Sequence, residues 1–253
     1  MMRKIGGVLE GLILLSVGAY AALLVFFGNY WRFLNPKFKW VTAATAMLLI
    51  IFGAVAALRP NKRPKLSRII IFLILLRVIF IANSGISLTG PGASGWGFAN
   101  LDKEKPRVTM DGIEYVRINL AELNILCAQA ENRKPALHYA VRGIVKRDER
   151  LDRQGQFALV RNTVFCCLAD SVGMGFRVQS SLLDELADGQ WVEVCATVKG
   201  LSRKLPDPGL RIKGMNLMIL SESHVLVADK VVRVNAPEIP YIIDIRSAEP
   251  YAY

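Results

Sequence analysis

The hydrophobic pattern of this chain changes character between its first third and the rest. Ile5 to Phe27 and Trp40 to Leu58 are almost unbroken apolar runs, and Ile69 to Leu88 is a third, interrupted by Arg77. Each approaches the ~20 residues that a helix needs to cross a bilayer. The first third, residues 1–88, therefore predicts an anchor of three transmembrane helices, at 5–27, 40–58 and 69–88. A cleaved signal peptide fits the first run less well, because its apolar stretch outruns the ~7–15-residue core of such peptides and no small-x-small site precedes the second run.

Residues 89–107 read as a Gly/Pro-rich exit linker, with Gly90 to Gly97 flexible and Trp96 suited to a membrane interface. From residue 108 onward the period falls to two. Phe157, Leu159, Arg161, Thr163 and Phe165 alternate with Ala158, Val160, Asn162 and Val164, the signature of a strand with two distinct faces. Further strands are predicted at Ile113–Ile118, Leu137–Arg147, Met174–Gln179, Trp191–Lys199, Leu210–Leu220 and Val225–Val234. Leu120, Leu123, Cys127 and Ala130 fall at helical spacing behind Asn119 as a cap, which predicts a helix ending near Asn132. A second short helix is expected near Ser181–Ala187, with Ser180 as its cap. Some seven strands with two short helices suit a small closed barrel of OB type, followed through to residue 253. Lys199 to Leu210, with Pro206 and Gly209, reads as a hairpin loop at its rim.

Charge divides the chain at the same place. Residues 1–88 carry 11 Lys+Arg against the single acid Glu10, whereas residues 89–253 carry 21 Lys+Arg against 20 Asp+Glu. The basic balance thus belongs to loops beside a membrane, and a nucleic-acid surface is not expected. Arg3, Lys4, Arg59, Lys62, Arg63, Lys65 and Arg68 outnumber Arg32, Lys37 and Lys39 on the other side, seven to three. The positive-inside rule then puts the N-terminus in the cytoplasm and, after three crossings, the barrel outside it. Glu10 and Arg77 fall inside the predicted helices. They either snorkel to the headgroups or pair within the bundle or against a partner.

The predicted strand ending at Phe165 runs into Phe165-Cys166-Cys167-Leu168-Ala169-Asp170. Successive strand side chains leave on opposite faces, so the two thiols address one ligand only where the chain bulges or turns. This run, the strand Trp191 to Gly200 and the ending Val231 to Tyr241 resemble the YcgQ-like family of permease subunits. The resemblance implies a small β domain behind an N-terminal membrane anchor, working beside a polytopic permease subunit. Ser171-Val172-Gly173-Met174 stands where that family usually has a proline after its Ala-Asp pair.

All four cysteines, Cys127, Cys166, Cys167 and Cys195, lie in the second part. In an oxidising compartment an even count suggests disulfides, with Cys127 and Cys195 as candidate partners. Cys195 alternates with Glu193, Thr197 and Lys199 and so points away from the apolar face of its strand. Cys166 and Cys167 as thiolates, with Asp170 and His138 or His224 completing the set, instead suit zinc or another soft metal. Both readings stand open, as does a redox role. His138 shares a strand face with Ala140, Arg142 and Ile144, the setting of an ordinary structural histidine. P-loop, G-x-S-x-G, H-E-x-x-H and C-x-x-C signatures do not occur, and no enzymatic activity is expected.

The expectation for the whole is a multi-pass protein of a bacterial-type cytoplasmic membrane with an extracytoplasmic OB-like domain, acting as accessory subunit of a two-component permease. A metal- or redox-sensing membrane protein and a cell-envelope scaffold are the alternatives. Three helices are too few for a familiar secondary transporter, which favours a partner.

Overall fold

The computed structural model describes residues 2–27, 30–58, 105–129, 138–206, 208–210 and 217–253. The chain divides into two compact units, Met1–Ser87 and Leu88–Tyr253. The predicted helix at 69–88 with Arg77, the basic loop before it and the linker from 89 to 104 lie outside the described residues.

In the first unit, helix α1 (Met2–Phe26) and helix α2 (Lys39–Leu58) are both long and apolar enough to cross a membrane. A short turn, Pro36–Phe38, leads into α2, with the Asn35 side chain accepting the Lys37 N–H at 3.1 Å. The two helices run antiparallel and approach closely through small residues. A Cβ on Gly11 would meet the backbone N of Ala57 at 2.5 Å, and one on Gly53 would meet that of Leu15 at 2.8 Å. Small residues permit such approach where lipid supplies no hydrophobic drive. Trp40, Met47, Phe52 and Leu58 on the outer faces are exposed, as side chains facing a bilayer would be. Gly53→Leu is expected to cost the helix pair about 1–3 kcal/mol. Spin labels at Val8 and Leu58 in detergent should report a wider and broader separation in the variant, and an unchanged distribution would contradict the packing. Glu10 sits partly buried on α1.

The second unit is built on one sheet of seven strands: β1 (Arg107–Met110), β2 (Ile113–Arg117), β3 (His138–Lys146), β4 (Gln156–Thr163), β5 (Val172–Gln179), β6 (Trp191–Gly200) and β7 (Leu217–Arg233). The order is β1-β2-β3-β4-β5-β7-β6, and β6 pairs again with β3, so the last five strands close into a barrel. Within it only β5–β7 is parallel. That is the connectivity of an OB barrel. Alternation decides what fills it. Tyr139 and Val141 of β3, Phe157 and Leu159 of β4, Phe176 and Val178 of β5, and Val192 and Val194 of β6 point inward. Register shifts at Gly175/Arg177 and at Cys195/Ala196 supply the bends that closure requires. Gly175 admits no side chain, because a Cβ there would lie 2.3 Å from the Leu159 carbonyl oxygen.

Helix α3 (Leu120–Gln129) adds Leu120, Leu123 and Cys127 to the same core. As its sequence predicts, Asn119 caps it: the Asn119 side chain accepts the Glu122 N–H at 2.9 Å and Glu122 accepts the Asn119 N–H at 3.3 Å. Its described part ends at Gln129, and residues 130–132 lie outside the described set. A one-turn helix α4 (Glu149–Asp152) is capped by Asp148. The second predicted helix is a three-residue turn, Leu183–Glu185, with Ser180 Oγ accepting the Leu182 N–H.

Two strand assignments need correction. The edge strand β1 lies outside the strands the sequence predicts, and the described residues of the two strands expected at 210–220 and 225–234 form, from Leu217 onward, a single β7. β7 pairs with β5 from Leu217 to Val227 and with β6 from His224 to Arg233, so that Val225 to Val227 are paired on both sides. The polar stretch Ser221 to His224, which reads as a turn, lies at the shift in the β5 register and at the start of the β6 pairing. Its Ser223 and Glu222 carbonyls accept the Leu201 and Leu205 N–H groups of the rim loop.

Candidate metal centre

Strand β4 ends at Thr163, where the chain is held on its far side by residues of the returning C-terminal segment. Val164 N–H donates to the Ile242 carbonyl at 2.9 Å and Ile242 N–H to that of Asn162 at 2.7 Å. The buried Arg161 guanidinium donates to the carbonyls of Ile239 and Pro240. Beyond this clamp the backbone leaves the sheet and Leu168–Asp170 form a tight 3₁₀ turn.

That turn answers the geometric objection to neighbouring cysteines. It swings the Asp170 carboxylate back over the preceding residues, where it accepts N–H groups from Phe165 at 3.2 Å, Cys166 at 2.8 Å and Cys167 at 3.4 Å. Gathering three successive amides onto one side chain curls the backbone. Donor atoms of Cys166, Cys167 and Asp170 all come to lie within 4.8 Å of one another. Cys166 is exposed and Cys167 half-buried.

The electrostatics of the metal-free turn follow from this packing. The Asp170 carboxylate accepting a hydrogen bond from the Cys166 thiol, together with the neighbouring Cys167, pushes the Cys166 thiol up to about 11. Burial acts to raise Asp170, but hydrogen bonds from the Cys166 thiol and the three amides outweigh it and hold the carboxyl below its ordinary value. A cation inverts this relation, since a coordinating thiol loses its proton and a carboxylate is drawn to the charge. Two thiolates and a carboxylate form a borderline-soft donor set of the kind that takes zinc. Cys166, Cys167 and Asp170 can therefore hold such an ion.

The other candidates are placed apart from this cluster. His138 stands on the outer wall of β3, edge-on to Tyr115 at 5.3 Å and 3.5 Å from Asp229, while His224 on β7 bonds Ser223 at 2.9 Å. Neither histidine completes the set. All four cysteines are free thiols, so the expected bridges are not formed. The barrel wall separates the two candidate partners. Cys127 lies in the core, whereas Cys195 lies outside it beneath the β1–β2 hairpin with Ala140 and Tyr115, its Sγ 3.5 Å from Met110 Sδ. Cys195 thus points away from the apolar interior, as its alternation predicts. Burial pushes Cys127 up to about 12 and Cys195 to about 11, which suits inert packed thiols.

A second polar constellation escaped the sequence. Glu122, 2 % exposed, accepts the N–H groups of Arg246 at 2.6 Å and Ala252 at 3.0 Å, and Asn119 donates to the Asp244 and Ala252 carbonyls. The C-terminal segment is thereby strapped across the start of α3. At its end Tyr253 donates to Glu193, with Arg117 and Arg142 packed against its ring at 5.1 and 4.7 Å. The Asn-x-x-Glu spacing announces the cap alone; partners more than 120 residues away leave no local signal.

Residues 135–243 match the family model of the DUF1980 C-terminal domain. The matched stretch contains Cys166, Cys167 and Asp170 and runs from β3 to the segment that clamps β4. No curated protein matches the chain. Among solved structures, an aspartyl-tRNA synthetase from Leishmania major Friedlin is similar at 17 % identity, over 51 % of this chain and 22 % of that one, with a TM-score of 0.27. The present chain spans about a fifth of that protein's length, and a likeness at this score bears on neither fold nor function.

Proposed function

We propose that this protein is a membrane-anchored accessory subunit that binds a borderline-soft divalent cation, zinc in class, at the β4–β5 turn and presents it to a polytopic transport partner. The observation that carries the reading is the convergence of Cys166, Cys167 and Asp170 within 4.8 Å on an exposed turn. Its role is binding rather than catalysis. Three crossings, with Arg77 in the third, put the barrel on the outer side of the membrane, in keeping with the excess of basic residues in the N-terminus and second loop. The match to the DUF1980 C-terminal domain is compatible with the YcgQ-like resemblance and supports placing the barrel in that setting.

Purification of the full chain in mild detergent, with mass spectrometry and metal analysis of one sample, tests both halves. The expected result is a co-purifying polytopic protein and about one zinc ion per chain, as a single site dictates. Cys167→Ser should lose the metal and keep the partner. A wild-type chain with four titratable thiols, no metal and no partner would overturn the reading.

A further inference from the structure

The β4–β5 turn is built unlike a metal site that staples a fold. Structural zinc is closed by four protein ligands, often from separate segments, and small domains that depend on it unfold without it. Here every donor comes from within five consecutive residues, Cys166 to Asp170. None of the residues from Phe165 to Asp170 belongs to the buried clusters that hold the barrel together. The curl itself is fixed by Asp170 accepting three backbone N–H groups, a frame that exists without any ion. Loading the turn therefore changes coordination and not folding. Among the described residues no fourth His, Cys, Asp or Glu joins the cluster, and Cys166 stands exposed at its edge. A four-coordinate cation bound there has one position facing outward.

We propose that the turn is an exchange site: Cys166, Cys167 and Asp170 hold the cation, and its remaining position accepts an imidazole or thiolate donor from an incoming molecule. This inference rests on the cation-binding reading above. Transfer then proceeds by ligand substitution. As the incoming donor bonds to the metal, the bond to the exposed Cys166 breaks first and its thiolate takes a proton from water; the metal keeps its oxidation state throughout. A preformed turn lets the ion leave without the cost of refolding the site, which is what separates a carrier from a permanent holder.

Cobalt(II) is the probe, added to the full metal-free chain in detergent. The expected spectrum has a thiolate-to-metal charge-transfer band and visible bands of four-coordinate cobalt. Imidazole should shift the visible bands saturably while the charge-transfer band persists, and the rate of cobalt loss to a chelator should double when the chelator concentration doubles. The metal-free chain should still melt cooperatively. Visible bands that imidazole leaves unmoved, with a loss rate independent of chelator, overturn the exchange site while leaving cation binding intact. A metal-free chain without a cooperative melt overturns it too. If wild type and Cys166→Ser alike give no charge-transfer band, cation binding itself fails and the exchange site with it.

Discussion

Replacing Glu122 by alanine is expected to lower the melting temperature of the barrel unit by roughly 6–12 °C, corresponding to about 3 kcal/mol in a unit of this size. Glu122 accepts three backbone N–H groups, from Asn119, Arg246 and Ala252, in a place that water does not reach. Removing the side chain leaves those donors without acceptors and frees the C-terminal strap from the start of α3. Burial raises the Glu122 pKa against the opposing pull of these amides. A carboxyl raised on folding lends its stability fully below the unfolded value, and loses it as pH climbs through the folded one. Wild type should therefore gain on Glu122→Gln as pH falls from about 7 to about 4. Denaturant midpoints at the two pH values read this, and a difference of opposite sign would contradict it. A Glu122→Ala chain that melts with the wild type would remove the strap as a structural element.

Replacing Asp170 by alanine should have the opposite profile: metal affinity lower by about 100-fold or more, and stability changed by less than about 1 kcal/mol. Asp170 also accepts three amides, so the contrast lies in burial alone. Phe165 and Cys166 are exposed, and water can replace the lost acceptor at their N–H groups. The two cysteines then lose both a ligand and the curl that brings them together. Competition against a zinc chelator measures the first effect and a thermal melt the second. Equal affinity in Asp170→Ala would mean that the thiols converge without it.

How far the sequence could be read depends on the range of the interactions concerned. Period-2 alternation shows in β3, β4 and β6 because each of these strands has its inward face set by the barrel core, and the same alternation put Cys195 outside it. The cap at Asn119 was visible because its partner is three residues away. β7 was split because Ser221 to His224 satisfy a rim loop by hydrogen bonds that no local pattern encodes. The short β1, Arg107–Met110, follows directly on Pro106 and has too few residues to establish a period. At the candidate site, Cys166, Cys167 and Asp170 were legible as types. Their convergence was not, because it depends on which amides the carboxylate collects.

Among the described strands only β1 is paired on a single side. It is four residues long, and Arg107 on it is tied to Glu114 and Glu249. Every other described strand has a neighbour on each side over at least part of its length, which leaves a foreign strand little template to extend. Copies crowded side by side would accordingly resist polymerising through their sheets, and clustering of the protein would have to come from other surfaces.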